Sequence, residues 1–141
     1  MHDVAALMSV NALYAVDSRD ETVVASSGVD ITNIDDDLLV LLDVEAGTGT
    51  NPTLNLAIQH RQDSDDTWGA VPAAALYDPA TGDADTFDEV TDAEASTQTL
   101  ALKREQLKAE VRGVLTIAGD ANPDFVCAVY LLGLQKYATG W

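Results

Sequence analysis

Residues 54–72, LNLAIQHRQDSDDTWGAVP, constrain the fold more than any other stretch of the chain. Leu54, Leu56 and Ile58 alternate with their neighbours, a polar run follows, and Thr67, Trp68 and Val71 resume an extended pattern. Strict alternation on either side of a tight polar turn is the signature of a β-hairpin with one buried face. A chain built around such a hairpin belongs to a small β-sheet protein.

Other segments follow the same period. Met8, Val10, Ala12, Tyr14 and Val16 alternate with polar or small residues and predict a strand, although Val4, Leu7, Asn11 and Tyr14 also share one helical face. Residues 22–26 are β-branched and end at Ser27-Gly28, and 28–32 lead into the acidic turn Asp35-Asp36-Asp37. The run LLVLLDV at 38–44 is almost continuously apolar, as in a strand buried on both faces. It ends in GTGTNP at 47–52, a loop of turn formers. Residues 73–96 form a long acidic excursion with Leu76, Tyr77, Phe87 and Val90 as its apolar anchors. Such a loop is expected at the surface, with a short helical turn, facing solvent or a neighbouring subunit. Alternation returns at 97–103, 109–118 and 125–134. Helical spacing of Leu100, Leu107, Val111 and Val114 competes with this reading, but the VLTI run at 114–117 favours strand, with a turn near Glu105-Gln106.

The expected fold class is therefore all-β: a single-domain β-sandwich or jelly-roll-like barrel of about eight strands with a long acidic loop. One domain is expected over 1–141, with 1–20 as an N-terminal strand or docking arm and 135–141 as a C-terminal tail. A chain of 141 residues, 47% apolar, can bury one core. No apolar run approaches the roughly 18 residues of a membrane helix, and the first residues lack the basic-then-apolar pattern of a secretory signal.

Net charge is −17, from 24 acids and 7 bases. Residues 1–102 hold 20 of the acids and only Arg19 and Arg61, whereas 103–141 hold 4 acids and 5 bases. An acidic surface repels nucleic acid and disfavours casual association. Abundant Asp with scarce Lys suits high ionic strength, where self-repulsion is screened. Within the less acidic part, Lys103, Arg104, Lys108 and Arg112 form a basic cluster, read either as ordinary ion pairing or as an electrostatic contact with a partner. Tyr137 and Trp141 in the tail are further partner-docking candidates.

Catalytic and metal chemistry find little footing. His2 and His60 are far apart and have no Cys or His at ligand spacing. The lone Cys127 lies in an apolar strand, as a small buried hydrophobe would. The clusters at 35–37 and 63–66 have Ca²⁺-type oxygens but not the EF-hand pattern, and read as solvated turns. Gly47-Thr48-Gly49 lacks the Lys of a phosphate loop. No catalytic residue, metal ligand or cofactor is expected.

Three segments together resemble the head decoration, or capsid cement, proteins of tailed phages. GVDITNID at 28–35 is similar to their GVDL-x-G-Y turn, with Asn33 and Ile34 in place of Gly and an aromatic. IQHRQDSDDTWGAV at 58–71 is similar to a Q-x-S-D-D-G-S-T-W-x-D-V hairpin, and LKAEVRGVLTIAG at 107–119 to a YLR-x-x-x-T-x-x-G strand, departing at Leu107 and Val111. The 73–96 loop has no counterpart. The resemblance implies a non-enzymatic β-sandwich that is made in the host cytoplasm, gathers as a trimer and reinforces the capsid exterior by binding the major capsid protein. Alternatives are a tail or head–tail joining subunit, or a carbohydrate-binding sandwich, which would need Trp68 as an exposed platform.

Overall fold

The structure, a computed structural model, describes residues 8–20 and 22–134. Within them the chain makes two antiparallel sheets, packed face to face as a β-sandwich. The first sheet runs β1 (Met8–Asp20), β11 (Ala121–Leu134), β4 (Leu38–Val44), β9 (Ser96–Leu102) and β8 (Leu76–Tyr77), with β5 (Thr48–Thr50) also on β11. The second runs β2 (Thr22–Ala25), β10 (Glu110–Ala118), β6 (Thr53–Arg61) and β7 (Gly69–Ala70), with β3 (Val29–Asp30) also on β10. Eleven strands replace the expected eight or so, because short pieces of two to four residues are cut off by bulges and turns.

Period-two alternation builds the core. β6 turns Leu54, Leu56 and Ile58 inward, and β10 turns Val111, Leu115 and Ile117 to meet them. From the facing sheet come Leu38, Val40, Leu42 and Val44 of β4 and Phe125, Cys127, Val129 and Leu131 of β11. Removing each large aliphatic side chain from water stabilises the fold by about 1.5–3 kcal/mol.

Tyr14 joins the two sheets. A register shift in β1 between Ala12 and Tyr14 turns both Leu13 and Tyr14 into the core. The Tyr14 hydroxyl reaches β10 and β2: it lies against the Gly113 carbonyl (2.9 Å) and the Val24 carbonyl, and accepts from the Leu115 N–H at 3.2 Å. Gly113 makes room for the ring, since a Cβ there would sit 3.1 Å from Tyr14 Cε2. Arg19 supports the same irregular stretch by donating to the Ala15, Asp17 and Cys127 carbonyls.

The two strands expected on either side of a turn near Glu105-Gln106 form, joined by a single 3-10 turn, Arg104–Gln106. Three of the four anchors expected in the acidic excursion are buried: Leu76, Phe87 and Val90. Leu54 and Val90 exchange both backbone hydrogen bonds (2.8 and 3.0 Å), which pins the far limb of this excursion to the edge of β6. The hairpin forms, but its second strand is only Gly69–Ala70. Thr67 and Trp68 lie outside the ladder, because the polar turn carries them over the outer face of the sheet. Strand β4 also departs from expectation. Only one of its faces is covered, and Leu39 on the other is 38% exposed.

Candidate docking surface

The four clustered bases lie at one end of the sandwich, where β9 hands over to β10. Each is already engaged. The Lys103 ammonium lies 5.7 Å from the centre of the Tyr77 ring. Arg104 donates through Nε to the Ile34 carbonyl (2.8 Å) and through Nη1 to the Leu107 carbonyl (3.2 Å), so it fastens the 34–37 turn to the 3-10 turn. Lys108 pairs with Asp66 at 3.1 Å. Arg112 donates to Gln59 Oε1 at 2.8 Å and lies 4.5 Å from the Trp68 ring centre. Tyr137 and Trp141 fall outside the described residues.

Among the described residues, the four bases after residue 102 therefore do not stand as an uncompensated positive surface. Acidic turns from earlier in the chain fold against it. Asp37 accepts from the Arg104 N–H (3.0 Å) and the Tyr77 hydroxyl (2.5 Å), and Asp66 accepts from the Gln62 N–H (2.8 Å) as well as Lys108. The Asp66 carboxyl is held below the ordinary carboxylate range by that Gln62 N–H and by Lys108. Asp30, bonded by the Thr32 hydroxyl and N–H, is lowered for the same kind of reason. These carboxylates tie turns together. Among the described residues no group of three or more His, Cys, Asp or Glu is arranged to hold a metal ion.

Trp68 is half-buried, with Arg61 and Arg112 each 4.5 Å from its ring centre. Arg61 is itself paired with Glu110 at 2.9 Å. The backbone at Gly28 closes on the ring edge, where a Cβ would meet Trp68 Cζ2 at 2.9 Å. The indole is thus built into a cation–π stack on the outer face of the second sheet. It is not a bare platform of the kind that carbohydrate stacking requires. His60 accepts from the Lys108 N–H at 3.2 Å, and burial lowers its pKa. Cys127 is buried, and burial raises its thiol pKa.

The outer face of the first sheet is different in kind. Register places Val10, Leu132, Leu39 and Ala101 in one row across β1, β11, β4 and β9. The adjacent row is Ala12, Tyr130, Leu41 and Thr99. Met8 and Leu134 pair at the corner. None of these residues is charged; charge returns at Asp43 beyond the second row and at Asp37 on the other side, beside the first. Val10 is 59% exposed, Met8 49% and Leu134 43%. Beside them an open hollow of about 280 Å³ is lined by Met8, Leu39, Leu132, Gly133, Leu134 and Asp37. By contrast, the outer face of the second sheet mixes Val23, Ala25 and Val114 with Gln59, Arg61, Glu110 and Arg112, as a solvent-facing antiparallel sheet does. The uncharged rows of the first sheet are the candidate docking surface of the molecule, since contiguous apolar surface is the common character of interaction sites.

No family model matches the chain, and no curated protein does. Among solved structures, a chain of infectious bursal disease virus, Gx strain, is similar with a TM-score of 0.50 and 10% identity, covering 94% of this chain and 37% of that one. A chain from the disulfide-linked pili of Bacillus endospore appendages is similar at a TM-score of 0.42 and 11% identity, over 91% of this chain and 89% of that one. The xylan-binding domain of a Paenibacillus barcinonensis protein is similar at 0.46 and 14%, over 92% and 87%. At these identities the likeness is one of fold, and the first of the three supports the sandwich architecture.

Proposed function

We propose that this chain is a structural protein that attaches to the outside of an assembled protein shell, a capsid decoration protein, and performs no reaction. The observation that carries the reading is the pair of uncharged rows on the outer face of the first sheet, in a molecule of net charge −17. A chain with so many acids has every means of placing one in these two rows, yet they hold none across four strands. The acidic remainder keeps free copies apart and faces solvent once the apolar face is covered.

The partner this surface fits is itself apolar and flat, with a protruding side chain for the hollow at Leu39 and Leu132. In this reading it is the major capsid protein. Binding to the assembled lattice in preference to free subunits adds its free energy to shell stability by mass action. The resemblance over 28–35, 58–71 and 107–119 supports the same reading. The test is co-sedimentation of the purified chain with empty, expanded tailed-phage capsids. The chain is expected in the pellet at saturable stoichiometry, and the decorated shells should withstand more heat. A chain that stays in the supernatant at every concentration overturns the proposal.

A further inference from the structure

The four sheet edges are unequal. β8 and β7 have two residues each and β2 has four, whereas β1 has 13. Short edges resist pairing with other chains, as do bulges and charges. The second half of β1 is protected in these ways: register shifts fall between Ala12 and Tyr14 and between Tyr14 and Asp17, and Asp17, Arg19 and Asp20 bring charge. The first half has no such protection. Met8–Ala12 pair with β11 on one side, and among the described residues no strand pairs with the other. From Met8 to Val16 there is no charged residue.

We infer that two copies of this chain pair through the free edges of β1, antiparallel about a two-fold axis near Val10, which joins their first sheets into one. The commitment to a second copy rests on complementarity. Reversal about Val10 sets Met8 against the partner's Ala12 on the outer face, and Val10 against its own equivalent. On the inner side it sets Ser9 against the partner's Asn11. These two polar side chains already bond one another within a single copy (2.9 Å). Charge points the same way: two molecules of −17 repel wherever acids meet, and this edge is a place where they do not. Pairing of β1 with any other edge of a second copy finds a strand of four residues at most. Strand addition therefore closes as a pair, and a ring of three would have to be held by other surfaces. The join also doubles the uncharged outer face. The inference stands on the backbone edge and the register, and does not require that face to bind a shell.

Sedimentation velocity over a concentration series, without any capsid, reads the pairing. The mass is expected to move towards twice that of the chain as concentration rises, and further at high salt, where repulsion is screened. Val10→Lys should hold the protein at the single-chain mass with unchanged circular dichroism, since Val10 is mostly exposed. Leu39→Lys, two strands in from the edge, should pair like the wild type while losing shell binding. A wild-type chain that stays single at every concentration and salt overturns the inference, as does a Val10→Lys variant that pairs undiminished.

Discussion

Tyr14 ties the two sheets together through a polar group placed inside the core. Its one O–H lies within reach of carbonyls on two strands of the opposite sheet, and its oxygen accepts an N–H from one of them. Tyr14→Phe removes the hydroxyl from the Val24 carbonyl and the Leu115 N–H, while the Gly113 carbonyl keeps the Ser26 N–H (2.8 Å), and should cost about 1–3 kcal/mol in urea unfolding. Burial also raises the Tyr14 phenol pKa. The folded protein then holds this proton more tightly than the unfolded chain does. The resulting stability is intact below the unfolded phenol value, about 10, and is lost as pH climbs through the higher folded value. Thermal melts above that pH should show a steep alkaline loss in the wild type and a shallower one in Tyr14→Phe. A remainder should persist, because the Asp37 hydrogen bond raises the Tyr77 pKa as well. The sequence marked Tyr14 as one alternating apolar residue among several. Its role as an inter-sheet tie was not readable, because it depends on a register shift in β1 and on a glycine 99 residues away.

At the scale of elements, alternation located most strands because a half-buried strand must alternate. It failed where a turn changes direction without changing composition. Thr67 and Trp68 have strand propensity, but both lie outside the ladder, and the Trp68 ring rests against Arg61 and Arg112. The basic cluster was visible as spacing, whereas its partners Asp37 and Asp66 come from distant turns. The expectation for β4 is the instructive case. Near-continuous apolar sequence reads as burial on both faces, yet one face lies open in the single chain. In the proposed docking, the run at 38–42 encodes the surface that the shell would cover. The acidic excursion, in turn, is anchored by Leu76, Phe87 and Val90. Phe87→Ala should cost about 3–5 kcal/mol, the range for emptying a buried aromatic site. Limited proteolysis should then cut between Asp78 and Ala95 in the variant, while the wild type resists there.

The whole molecule sets 24 acids against 7 bases, and only two ion pairs form among the described residues. Repulsion on that scale falls as salt screens it. The midpoint of thermal unfolding should therefore rise from dilute buffer to seawater-level salt, and an unchanged midpoint would remove the case for a salt-adapted surface. The same contrast separates the two ways this protein could dock. Contact through Lys103, Arg104, Lys108 and Arg112 would weaken as salt rises, whereas contact through the apolar rows would hold or strengthen. The most direct measurement is the occupancy of empty capsids by the wild type, by Leu39→Lys/Leu132→Lys and by Lys108→Glu, across a salt series. Wild-type and Lys108→Glu occupancy should be maintained or increase with salt, and the double lysine variant should stay unbound while folding normally. Occupancy that collapses with salt, or a double variant that still decorates the shell, would contradict docking through the outer face of the first sheet.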